Sequence, residues 1–269
     1  MIKKTVVSRY LLAIVLLSSA VLAGCVSQQS PSWRSKPISM EDALRDHIQL
    51  GLGYISEGNR DAARHHLSKA LEIDSRSSGA HNGMALLYQL EQESKLAEEH
   101  YKKALRYDSK NSQARNNYGV FLVQQQRIEE AHDQFARVAE DTGYDSRAQA
   151  YVNLGITAME LEREQEAVDA WQRAVALNPR LPVPYLELAD HFFQKGDFVL
   201  ARRMLSAFDS LSRPVPRSLW LGVRIDAQFG NKDGMASKGL ALKKLYPYSR
   251  ENLDYQAWLE ERGETIRDR

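Results

Sequence analysis

From about Asp42 onward, apolar and polar positions follow a pattern that returns along the chain. Leu50-Gly51 with Tyr54, then Ala63, Leu67 and Ala70, come back as Met84-Ala85 with Tyr88, Ala97, Tyr101 and Ala104. A third copy reads Tyr118-Gly119, Leu122, Ala131, Phe135 and Val138. A fourth reads Leu154-Gly155, Ala158, Ala167, Trp171 and Ala174, closing at Pro179. The fifth is Leu188-Ala189, Phe192, Ala201, Leu205 and Phe208. The interval is 34 residues, with two extra residues between the third and fourth copies near Asp141 to Tyr144. Apolar residues three and four apart share a helix face, so each copy predicts two short antiparallel helices, A and B. The small residue after the large one in helix A, and the Ala that opens helix B, allow close approach. The large residue four positions later fills the gap between units. One pair cannot hide its apolar face alone, so the units stack.

A sixth unit begins at Leu221-Gly222 and Ile225, but its second helix, around Met235 to Leu245, reads as out of step by a residue or two; Pro247 closes it. Pro214 and Pro216 mark the hinge before it, because the residue preceding a proline avoids helical geometry. The charged segment Ser249 to Arg269 has Leu253, Tyr255, Trp258 and Leu259 as apolar members, which suits a terminal capping helix. The period and the order large, small, aromatic, small, large, small, proline resemble the tetratricopeptide repeat. That resemblance implies an all-α fold. It would be a right-handed superhelix of about six helix-turn-helix repeats over residues 42–248, with a C-terminal capping helix and tail over residues 249–269.

The first residues follow a different grammar. Lys3, Lys4 and Arg9 precede an apolar stretch from Tyr10 to Ala20 that is short for a bilayer span, and Leu22-Ala23-Gly24-Cys25 follows it. This is the pattern of an export signal over residues 1–24, and the three residues before Cys25 resemble a lipobox. The resemblance implies a diacylglycerol on the Cys25 sulfur and an N-acyl chain on the new amino terminus. Three chains, at about 0.8 kcal/mol per buried methylene, make an almost permanent anchor. Cys25 is the only cysteine, so no disulfide forms within the chain. Val26 stands where lipoproteins retained in the inner membrane often carry Asp, which favours the outer membrane and a body in the periplasm. Residues 25–41, rich in Ser, Gln and Pro, read as a tether, with Trp33 either at the headgroups or solvated.

Of 269 residues, roughly 245 remain without the leader, enough for one large or two ordinary domains. The formal net charge is +1, with basic and acidic residues interleaved. No basic block suggests nucleic acid, and no second long apolar run suggests a spanning helix. The seven histidines include no pair four apart, and adjacent His65 and His66 point about 100° apart on a helix. They read as exposed helix-B residues. There is no GxSxG elbow, glycine-rich phosphate loop or metal-spaced cysteine set. Glu98-Glu99 and Glu129-Glu130 read as solvated charge. These features exclude the common enzyme classes, a metal site and a small-molecule substrate.

The inward positions of each helix A remain. They are Ile48, Leu52 and Ile55 in the first unit, then Asn82, Leu86 and Gln89, then Asn116, Val120 and Val123. The fourth unit supplies Val152, Ile156 and Met159, the fifth Leu186, Asp190 and Phe193. Relatives that clamp a terminal carboxylate use Lys and Asn at several of these places; the lysines are missing here. A largely aliphatic trough with a few amides fits an extended apolar segment or the apolar side of a helix.

Ile48-Gln49-Leu50-Gly51-Leu52-Gly53-Tyr54, Lys69-Ala70-Leu71-Glu72-Ile73-Asp74, Asn116-Asn117-Tyr118-Gly119 and Leu242-Lys243-Lys244-Leu245-Tyr246-Pro247 resemble the type IV pilus biogenesis and stability lipoproteins. The resemblance spans essentially the whole chain. It implies a non-enzymatic pilotin that enters the lipoprotein sorting machinery, binds the outer-membrane secretin subunit, and promotes secretin localisation and multimerisation for pilus extrusion and twitching. The implied groove for the secretin begins in the first unit, and no cofactor is implied beyond the lipid on Cys25. The alternative is a repeat lipoprotein that docks cell-wall synthases or hydrolases, which a pull-down separates. An enzyme would need polar residues converging in the groove.

Overall fold

The computed structural model describes residues 39–263. The leader, Cys25 and the tether up to residue 38 lie outside the described residues, as do residues 264–269 of the tail. Among the described residues there are thirteen helices and no strand, and the helices from Ala43 onward form one compact unit. They pair as α1 (Met40–Ser56) with α2 (Arg60–Ile73), α3 (Ser78–Leu90) with α4 (Ser94–Tyr107), and α5 (Ser112–Gln124) with α6 (Ile128–Glu140). Next come α7 (Arg147–Glu160) with α8 (Glu164–Leu177), α9 (Val183–Gln194) with α10 (Phe198–Leu211), and α11 (Pro216–Gln228) with α12 (Lys232–Leu245). Helix α13 (Arg250–Glu261) follows. The fold is a solenoid of tetratricopeptide repeats.

Each pair is joined by three residues, the middle one in the left-handed region: Gly58, Gln92, Gln126, Glu162, Gly196 and Gly230, with φ between 59° and 78°. Side-chain oxygens close several helix starts. Asn59 accepts from the Ala62 amide at 3.2 Å, Asp197 from Leu200 at 3.0 Å and Asn111 from Ala114 at 2.9 Å, which satisfies amides that have no partner within the helix. Nine residues after the turn residue, helix B carries Leu67, Tyr101, Phe135, Trp171 and Leu205, all buried. Each meets the bare Gly or Ala of its own helix A. A Cβ on Gly51 would stand 2.6 Å from Leu67, and one on Gly119 2.6 Å from Phe135. Full burial of side chains this size contributes roughly 2–3 kcal/mol apiece.

The turn residues also correct the sixth unit. They follow one another at 34 residues, with 36 between Gln126 and Glu162 and 34 from Gly196 to Gly230. Helix α12 is therefore in step, and the Leu221-Gly222 doublet is what sits one residue off. The small and large partners have changed places. Val223, fully buried, occupies the helix-A position that is Gly or Ala elsewhere, and Gly239 occupies the helix-B position of the large residue. A Cβ on Gly239 would collide with the Tyr255 ring of α13. The capping helix thus delivers from outside the repeat the aromatic that the other units carry themselves, and Leu219, Val223, Leu242, Tyr255 and Leu259 close the last core.

Candidate functional site

Helices α1, α3, α5 and α7 carry the ten side chains expected to line the groove. Six residues before each turn residue stand Leu52, Leu86, Val120 and Ile156. Val120 is 37% exposed, while Leu52, Leu86 and Ile156 are half-buried. Three residues further, Ile55 leans on the cluster of Ala63, Leu67, Met84 and Leu87, and Val123 on the core of the second to fourth units. These residues form an aliphatic stripe with partial exposure. Four residues before the stripe the picture changes. Ile48 and Asn116 are half-buried, but Asn82 is 4% exposed and Val152 1%. Both were expected in the groove, and neither offers a side chain to a ligand. Their position lies at the seam between successive A helices: Ile48 Cδ1 would be 3.2 Å from a Cβ on Gly79 of α3.

The amides are spent on that seam. Asn117 donates to Asn82 at 3.0 Å and Asn153 to Asn116 at 3.3 Å, while Gln89 donates to Gln124 at 2.7 Å and accepts from the Tyr101 hydroxyl at 2.7 Å. Apart from the Gln89–Tyr101 bond within the second unit, they lace neighbouring units, so apolar contact is what the stripe can give a ligand. Where the two extra residues lengthen the α6–α7 connection, a cleft of 630 Å³ opens between Gln113, Asn116, Tyr144, Arg147, Gln149 and Leu181. At the other end, Leu50 is 46% exposed, whereas its counterparts Met84, Tyr118, Leu154 and Leu188 are buried. Those four are covered by the preceding unit, and α1 has no preceding unit among the described residues.

His65 is exposed, as expected, but its neighbour His66 and the pair His81 and His100 are not idle surface groups. His66 is half-buried, and its Nδ1 lies 3.0 Å from Nδ1 of His47. His100 Nδ1 lies 3.1 Å from Nδ1 of His81, whose Nε2 is 3.1 Å from the Ser75 carbonyl oxygen. A carbonyl only accepts, so His81 carries its proton on Nε2 and its Nδ1 accepts from His100. Burial, then the adjacent His81 and Lys103, push His100 down to about 4; burial also lowers His81 and His66. Both pairs are separated by 19 residues and recur at 34, a signal visible in the chain but hidden from a search for spacings of four. Among the described residues no group of three or more His, Cys, Asp or Glu could hold a metal ion. Glu98 is also engaged. Burial opposes its charge, but hydrogen bonds from Lys102, Arg127 and Tyr118 outweigh that and hold it at about 2.

Models of the tetratricopeptide repeat match residues 91–152 and 148–181. The chain is 38% identical over 245 residues to the type IV pilus assembly protein PilF of Pseudomonas aeruginosa, covering 91% of this chain and 97% of PilF. A solved structure of Pseudomonas aeruginosa PilF superposes with a TM-score of 0.78 at 40% identity, covering 81% of this chain and 99% of that one. PilW, described as a widely conserved type IV pilus biogenesis factor, shares the fold with a TM-score of 0.68 at 24% identity, over 79% of this chain and 98% of its own. On its likeness to PilF over nearly the full length of both chains, this protein belongs to the PilF family of tetratricopeptide-repeat proteins of type IV pilus assembly.

Proposed function

We propose that this protein is a lipid-anchored scaffold that captures the outer-membrane secretin subunit of the type IV pilus machine on the helix-A stripe and promotes secretin localisation and multimerisation. The family's work is pilus biogenesis, and a solenoid of repeats beside a PilF-like relative fits a non-catalytic role. The observation that carries the binding reading is the half-exposed row Leu52, Leu86, Val120 and Ile156, whose neighbouring amides are already paired. An aliphatic row of this kind suits the apolar side of a partner segment. Cys25 carries the acyl chains, the body faces the periplasm, and the lipoprotein sorting route moves scaffold and cargo together. Tethering also raises the local concentration of the captured subunits.

Two variants test this. Leu52→Asp should keep its helicity and lose secretin in a pull-down, and unchanged capture would remove the stripe from the mechanism. Cys25→Ser should leave a folded protein outside the outer membrane with fewer secretin multimers. Normal multimers in that strain would reject the piloting role.

A further inference from the structure

Counted from Gly230, the helix-A stripe does not end at Ile156 but continues through Asp190 to Arg224. Arg224 has a side chain 30% exposed and makes no hydrogen bond among the described residues; its Nε is sealed from solvent without a partner. Its guanidinium sits 4.7 Å from the Phe193 ring and 5.4 Å from the Trp220 ring. Asp190 is the nearest carboxylate, with Oδ1 at 3.6 Å, beyond hydrogen-bond reach. The other oxygen of Asp190 accepts from Arg217 at 2.8 Å, and Arg217 also takes both oxygens of Glu187 at 2.6 and 2.8 Å. Asp254 and Arg217 are the other charges acting on Arg224, and burial is the largest influence, pulling it below the usual arginine range. The sealed Nε is an unsatisfied donor of an uncommon kind, while the terminal nitrogens keep solvent access, pair with Asp190 at long range and make no hydrogen bond among the described residues. An oxygen anion arriving at that open terminal edge would supply the charged hydrogen bond that Asp190, at 3.6 Å, leaves unmade.

We propose that Arg224, walled by Phe193 and Trp220, is a subsite for the side-chain carboxylate of an Asp or Glu in a polypeptide lying along the helix-A face, with an apolar neighbour of that residue against the two rings. The proposal rests on reading that face as a polypeptide-binding surface. The rings hold the guanidinium plane, and a fixed fork facing a carboxylate makes the stronger kind of hydrogen bond. A chain terminus is the weaker fit, because the inward positions lack the lysines of a terminal clamp and Arg217 is already occupied.

The test is NMR of the detergent-solubilised full chain, following the Arg224 Nε–H and Trp220 indole signals. Three probes are titrated: acetyl-Leu-Glu-Phe-amide, acetyl-Leu-Gln-Phe-amide, and acetyl-Leu-Gln-Phe with a free carboxyl end. The Glu probe should move both signals saturably and bind on the order of tenfold tighter than the Gln amide. Arg224→Gln, with its far-UV circular dichroism unchanged, should abolish that preference. Equal binding of the two amides, or binding of neither, overturns the proposal. So does a free-ended Gln probe that binds as well as the Glu amide, which would make this a chain-end site. Inorganic phosphate displacing the Glu probe at equal concentration would reduce it to a general anion site and likewise overturn it. Failure of the secretin reading is seen separately. If no secretin is captured while Arg224 still selects the Glu probe, the partner's identity falls and the subsite stands.

Discussion

Acidification should loosen the second unit through His100. In the folded chain burial and His81 keep this imidazole neutral down to about 4, whereas in the unfolded chain it takes its proton near 6.5. Between those values the unfolded state holds more protons, so stability falls as pH falls. The contribution is complete above about 6.5 and gone below about 4. Each unit of pKa corresponds to about 1.4 kcal/mol, and water reaching the half-buried ring reduces the total to about 1–2 kcal/mol. His81 acts in the same direction. The third unit holds Arg115 and Gln134 at the same two positions, hydrogen-bonded at 2.9 Å. The double variant His81→Arg, His100→Gln therefore grafts a pair that does not titrate in this range. Urea unfolding followed by far-UV circular dichroism, at pH about 7 and about 4, should show the native chain losing more stability than the variant by about 1–2 kcal/mol. Equal losses in the two proteins would refute the assignment. Glu98, held at about 2, should weaken both proteins alike below about 4.5.

Two further outcomes follow from backbone and cap. Gln126 adopts φ 59° in an exposed turn where Gly58, Gly196 and Gly230 serve the first, fifth and sixth units, so Gln126→Gly should stabilise the protein by about 1 kcal/mol, read as a higher urea midpoint. Tyr255→Ala should cost about 3 kcal/mol and expose the amides of α12 to hydrogen exchange before those of α5; uniform exchange along the chain would show that the ring does not cap the array.

The five strong units are legible in the chain because packing leaves little choice. Where Trp171 crosses Gly155, or Phe135 crosses Gly119, any side chain on the glycine would collide, so small and large residues must recur at fixed spacing. The sixth unit obeys the same packing with the sizes exchanged between Val223 and Gly239, and its filler, Tyr255, comes from another helix. A search for the doublet then settles on Leu221-Gly222, one residue early. The groove was half legible for a related reason. Helical spacing shows that Leu52, Asn82, Val120 and Val152 face the same general side, but whether the next A helix covers a side chain depends on the distance between units. Asn82 and Val152 fall under that neighbour. The histidine pairs join different helices, so no spacing within one helix could reveal them.

The corrected register changes what the stripe can do. Leu52, Leu86, Val120 and Ile156 are nearly equivalent aliphatic positions spaced by the repeat. A segment held by them alone could move by one unit and bury similar apolar area, so its free energy would hardly distinguish the two placements. Specificity is a difference between such alternatives, and aliphatic burial supplies little of it. The last two members of the row are Asp190 and Arg224, where displacement by one unit would bring a carboxylate from a cationic position to an anionic one. On the proposed mode of binding, a single charge of that kind would convert four interchangeable contacts into one preferred register. It follows that substitutions along the aliphatic part should weaken capture in graded steps, while loss of the Arg224 charge should broaden the set of segments captured more than it lowers the affinity for any one of them.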